Sequence, residues 1–131
     1  MKYDNNPGNI RFNTLNRWQG LSGSRNGFCL FNSVEFGLRA FMILLRNYVK
    51  KYHLSDVDSI VQRYAPPTEN NTSSYVRYCR AFLYQRGCSA DNISVGTKSF
   101  YVLGEAMLRY ESNFPCEYQR LENICRIFKI K

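Results

Sequence analysis

The sequence predicts a mostly α (α+β) fold, about five helices behind a small N-terminal β-hairpin. Three observations carry this. From Phe36 onward apolar residues recur at three- and four-residue steps, in blocks separated by helix-capping residues. Before that, residues 1–33 are rich in Gly and Asn and hold only short strand-like pieces. The 131 residues show no internal repeat and no linker, which suits one domain over 1–131, with a hairpin region at about 1–33 and a helical region at about 34–131.

The strand-like pieces are residues 9–13 and 28–31, placed around a turn-prone Gly20-Leu21-Ser22-Gly23-Ser24. Asn32 or Ser33 can cap the first and longest helix, with Glu35 in its first turn and Phe36, Ala40, Ile43, Leu44 and Tyr48 inside, ending near Tyr52. Ser55 with Asp58 signals a short second helix through Val57, Ile60, Val61 and Tyr64, which Pro66-Pro67 must end. Thr72 can cap a third, with Tyr75, Val76, Cys79, Phe82 and Leu83 on its apolar face and Gly87 stopping it. Thr97 opens a fourth that runs to about Tyr110, and a fifth begins near Glu117 with Leu121, Ile124, Cys125 and Phe128 inward.

Composition narrows the function classes. Hydrophobic residues make up 44% and aromatics 15% of the chain, enough for a packed core. The net charge of +8 favours an acidic partner, but the basic residues are scattered singly, with only Lys50-Lys51 adjacent. No nucleic-acid partner is expected from that pattern, since a groove-binding protein clusters its cations. Five cysteines without a CxxC pair, beside the single His53, fit no zinc site, so neither metal nor other cofactor is expected. Cys79 and Cys125 fall at apolar helical positions, and one or two disulfides are open to a chain that reaches an oxidising compartment. The residues after Lys2 lack the apolar run of a signal peptide and no stretch is long enough to insert in a membrane. The expected product is therefore made in the cytoplasm, and anything it does outside depends on release or delivery.

Acid–base chemistry must fall to the ten carboxylates. Glu35, Asp56 and Asp58 sit in first turns, where they complement the helix dipole, and Glu117, Glu122 and Glu105 read as surface residues. Glu111 differs because it falls where the fourth helix ends. There it meets the negative end of the dipole, which tends to raise a carboxyl pKa and suits a general acid.

Glu111-Ser112-Asn113-Phe114-Pro115 resembles the catalytic motif of lysozyme-like lytic transglycosylases and glucosaminidases, in which a Glu followed by Ser closes a helix. In that family an Asn-rich turn, a Trp-x-Gly and an aromatic strand follow the acid. Here Asn5-Asn6-Pro7-Gly8-Asn9-Ile10-Arg11, Trp18-Gln19-Gly20 and Phe28–Phe31 are similar in order but open the chain. Tyr64-Ala65 and Tyr75-Val76 resemble the family's two later tyrosine elements. The order implies a circularly permuted lysozyme-like domain. Gly37-Leu38-Arg39-Ala40 and Ala65-Pro66-Pro67-Thr68-Glu69-Asn70-Asn71-Thr72 are similar to strings of P5-like structural or lytic proteins of phages and prophages, which show Glu-Asn-Gly where this chain has Glu-Ser-Asn.

The resemblance implies a glycosidase or lytic transglycosylase that cleaves the peptidoglycan backbone between N-acetyl sugars, with Glu111 as general acid and base. It implies supporting roles for Tyr64 and Glu69, and a sugar-binding wall made by Asn5, Asn6, Gly8, Asn9, Asn71 and Tyr75. Plain alternatives stand beside these: turn chemistry for the asparagines, a core position for Tyr75, a dipole-capping role for Glu69, and a core anchor for Trp18. Glycan strands would be the partner of a monomer, with a delivery system or an immunity protein as further ones. A non-catalytic virion or wall-binding protein of the same fold is the alternative.

Overall fold

The computed structural model describes residues 4–68 and 71–131. Two antiparallel strands, β1 (Leu21–Arg25) and β2 (Phe28–Phe31), precede five helices: α1 (Val34–Lys50), α2 (Val57–Tyr64), α3 (Thr72–Gln85), α4 (Lys98–Ser112) and α5 (Tyr118–Ile127). The mostly helical architecture behind a small hairpin is the one expected from the sequence.

The hairpin itself is placed differently. Residues 20–24, expected as the turn, form most of β1, and the chain reverses at Asn26-Gly27, both with positive φ. Two consecutive left-handed residues make the turn whose twist matches paired strands, and Asn-Gly is the dipeptide that tolerates it. Residues 9–13, expected as a strand, make only one isolated bridge, Arg11 to Phe28. The Cys29 amide donates to the Ile10 carbonyl (3.0 Å) and the Phe12 amide to the Gly27 carbonyl (2.8 Å), so this segment lies beside β2.

Helix α4 is the centre of the core. From Phe100 to Leu108 every residue is buried, because α3 and α5 pack against it and α1 closes over Gly104. A Cβ on Gly104 would stand 2.9 Å from Leu121 Cδ1 and 3.3 Å from Met42 Sδ, so the missing side chain sets the approach of α1 and α5. Glu105 is inside this packed stretch, 3% exposed, where a surface position was expected. Arg109, one turn on, reaches its Oε2 at 3.0 Å and neutralises it.

Several caps shift by one residue. Asp56, not Ser55, caps α2 by accepting from the Ser59 amide at 2.7 Å. Asn71, not Thr72, caps α3, while the buried Thr72 hydroxyl donates to the Ala65 carbonyl at 2.7 Å and anchors the turn between the helices. Thr97 caps α4 as expected, and Gly87, with φ +70°, follows the end of α3. The five cysteines are free thiols, with Cys29, Cys79, Cys116 and Cys125 buried.

Candidate functional site at the end of helix α4

Helix α4 continues to Ser112, so Glu111 occupies its last turn rather than the loop beyond. Asn113 then takes a left-handed conformation (φ +56°), and the Phe114 amide bonds back to the Leu108 carbonyl at 3.3 Å. Pro115 prevents any continuation. This closure holds Glu111 half-buried at a fixed place.

What it faces is the Asn5-Asn6-Pro7-Gly8-Asn9 turn from the other end of the chain. Asn9 Nδ2 donates to the Glu111 backbone carbonyl at 3.0 Å and to its Oε1 at 3.2 Å. Ser112 Oγ donates to the Pro7 carbonyl at 2.7 Å, a second tie across the same junction. Sequence reasoning missed that role for Ser112, although a hydroxyl directly after the acid was visible.

The turn is held by its own polar side chains and by two glycines. Asn6 is buried at 2% exposure, its Nδ2 donating to the Ile10 and Cys29 carbonyls (both 3.0 Å) and its Oδ1 accepting from the Ile10 amide. Asn5 Nδ2 donates to the Phe31 carbonyl at 2.9 Å. These two asparagines build the turn, and the structure leaves Asn9 alone of the three at the Glu111 carboxyl. A Cβ on Gly37 would overlap the Asn5 carbonyl, so α1 must carry a glycine for the turn to lie on it. Gly8 is likewise enclosed: its Cβ would stand 2.7 Å from the Tyr64 hydroxyl and 2.8 Å from Phe41 Cδ1.

Tyr64 ends α2 and donates its hydroxyl to the Gly8 carbonyl, while its ring meets Phe41 edge-on at 5.6 Å. Burial first, and then the neighbouring Glu111 charge, push its pKa well above the phenol value, so it stays a donor. Tyr75, 2% exposed, comes from α3; its hydroxyl lies 3.5 Å from the Met107 carbonyl and hydrogen-bonds the Glu111 side chain. Its ring stacks on Tyr110 at 4.2 Å. Tyr75 is thus both a core residue and a neighbour of the acid.

Burial raises the pKa of Glu111. The hydrogen bonds from Tyr75 and Asn9 and the positive charge of Arg11 pull it back only in part. The group combines a raised pKa with two neutral donors and no direct salt bridge among the described residues. That combination makes ionisation of Glu111 harder than for a free carboxyl.

Glu111 opens into a cleft of about 610 Å³ lined also by Asn9, Arg11, Trp18, Tyr48, Arg63 and Tyr64. Arg11, Tyr48 and Arg63 were not singled out from the sequence. Arg63 precedes Tyr64, but only the packing of α1 beside α2 brings Tyr48 to the same wall. Trp18 packs partly buried against the core and lines the cleft, with its Nε1 buried and lacking a hydrogen-bond partner. Asn71 does not join this site: its side chain caps α3, and it borders a separate hollow with Pro67 and Arg77. Glu69 lies outside the described residues. Among the described residues no group of three or more His, Cys, Asp or Glu is placed to hold a metal ion. None of their helices is long and apolar enough to cross a membrane.

Fold and site together define a small, mostly helical domain with one half-buried carboxyl, Glu111, facing a polar turn across an open cleft. No family model matches the sequence. The chain is similar to Protein P5 of Pseudoalteromonas phage PM2, 38% identical over 48 residues. That stretch is 37% of this chain and 30% of the phage protein, so less than a third of the relative's length is matched.

Proposed function

We propose that the protein is a peptidoglycan-cleaving glycosidase of the lysozyme or lytic transglycosylase type, which breaks the backbone between N-acetyl sugars with Glu111 as its acid and base. One juxtaposition carries the reading: the half-buried Glu111 carboxyl bonded by Asn9 of the N-terminal turn, in a cleft of about 610 Å³. The contact between the N-terminal turn and the end of α4 supports a permuted lysozyme-like arrangement. The partial similarity to a phage protein supports a setting in which bacterial wall is encountered.

The chemistry follows from the environment of the acid. Cleavage begins when the Glu111 proton passes to the glycosidic oxygen and the bond from that oxygen to C1 breaks. The cation forming at C1 is met by the substrate's own acetamido oxygen, a route that does not require a second carboxylate. The Glu111 carboxylate then takes a proton from the incoming hydroxyl. If that is the C6 hydroxyl of the same sugar the product is a 1,6-anhydro end, and if it is water the product is a reducing end. Asn9 and Tyr75 donate to the carboxylate in the interval, which limits the cost of the buried charge.

The test is digestion of purified murein with mass spectrometry of the fragments. New glycan ends are expected, a 1,6-anhydro end marking transglycosylation and a muramic or glucosamine reducing end marking hydrolysis. A folded chain that leaves murein uncut, or a Glu111→Gln variant that cuts as fast as the wild type, contradicts the reading.

A further inference from the structure

The cleft contains a second charged group that the acid–base chemistry does not use. Arg63, in the last turn of α2, lines the same cavity as Glu111. Its guanidinium carbon lies 3.7 Å from the centre of the Tyr52 ring and 5.5 Å from that of Tyr48. Two aromatic side chains from the end of α1 and just beyond it thus hold a flexible cation in one place. Stacking occupies the flat face of a guanidinium and leaves its N–H edge available for a planar, two-oxygen acceptor.

Among the described residues Arg63 has no carboxylate partner. Asp58, the carboxylate of α2, is taken by Arg80 at 2.6 Å, and Arg80 also holds Asp91. Glu111 is the carboxylate that shares the described cleft lining with Arg63. A chain of N-acetyl sugars is neutral along its backbone, and the carboxylates of peptidoglycan are on its substituents. A cleft built for the backbone alone has no use for an ordered guanidinium.

We infer that Arg63 is a specificity-determining residue that binds a carboxylate of the peptide stem carried by the glycan strand. This rests on the glycosidase reading and adds to it a requirement for an acidic substrate. Arg63 positions the strand and takes no part in the proton transfer.

The experiment compares wild type, Arg63→Gln and Arg63→Lys on two forms of purified murein: native, and with its carboxylates converted to neutral amides. Arg63→Gln is expected to lower kcat/KM about tenfold on native murein and less than twofold on the amidated form, with Arg63→Lys in between. An unchanged rate on native murein, or an equal loss on both forms, overturns the inference. Stripping the stems removes their carboxylates and frees the lactyl carboxyl that each stem had held as an amide: an effect of Arg63→Gln that vanishes on stripped strands supports a stem carboxylate as the partner, and one that persists unchanged overturns it. Co-sedimentation of the Glu111→Gln chain with native and amidated sacculi gives a reading independent of cleavage. Tighter retention by native sacculi that Arg63→Gln removes supports the inference, whereas equal retention, or none, overturns it. Failure of the wild type to cut either form counts against the glycosidase reading instead.

Discussion

Helix α4 carries two carboxylates six residues apart, and their surroundings make them different groups. Glu105 is in the packed middle, 3% exposed, with Arg109 against its Oε2. Glu111 is in the last turn, where Asn9 and Tyr75 offer neutral hydrogen bonds and burial raises its pKa. A buried acid with a cation one turn away is paired within the packed helix and serves the fold. A half-buried acid whose hydrogen bonds come from neutral donors ionises less readily than a free one. The same residue type on one helix becomes a structural anchor or a chemical group according to what faces it.

The contrast breaks most sharply under paired substitution. Glu111→Gln is expected to lower murein cleavage by roughly 10²- to 10⁴-fold, the range for loss of a general acid. It should leave the melting temperature at neutral pH equal or slightly higher. The sign follows from linkage: a carboxyl whose folded pKa is raised costs stability as pH climbs from the ordinary carboxylate range through the folded value. Glutamine removes that cost, and the two proteins should melt alike at acid pH. Glu105→Gln should do the reverse, destabilising the fold by about 2 kcal/mol while the rate per folded molecule holds. That figure is kept below the range for a fully buried pair because Arg109 is 29% exposed.

Gly8→Ala tests whether the turn must lie on α1 and α2 for Glu111 to work. The added methyl meets Tyr64 and Phe41, so a loss of about 1–3 kcal/mol is expected in denaturant titration. A fall in cleavage rate should accompany it as Asn9 is displaced. Asn71→Ala has the smallest effect, about 1 kcal/mol from the lost cap of α3 and no change in cleavage. A large loss of activity there would restore Asn71 to the site.

Much of the fold was legible because helices announce themselves locally. The cap at Thr97, the stop at Gly87 and the apolar steps inside α3 and α4 depend on neighbours within a turn or two, and the structure keeps them. The hairpin was misplaced because Asn26-Gly27 was passed over for a longer run of Gly and Ser, although positive φ at two residues in a row is what a two-residue turn needs. Glu105 was misread because its partner Arg109 neutralises it, and an acid in an apolar helix face then looks no different from a surface one. Within the site, the meeting of Asn9 with Glu111 followed from the resemblance in order, not from any local signal. Asn5 and Asn6 were taken as ligands because nothing in a sequence tells an amide that binds sugar from one that satisfies its own turn. Arg63 and Tyr48 were beyond reach, since only the packing of α1 on α2 brings them into one wall.

The most direct test of the contrast between the two acids is an NMR titration of the side-chain carboxyl carbons, with the Glu111 signal assigned by its loss in Glu111→Gln. The Glu111 midpoint should lie above the ordinary carboxylate range, and the descending limb of the cleavage rate against pH should follow it. A midpoint at or below that range would contradict the account, because Glu111 would then be an ion at the pH where it is asked to give a proton.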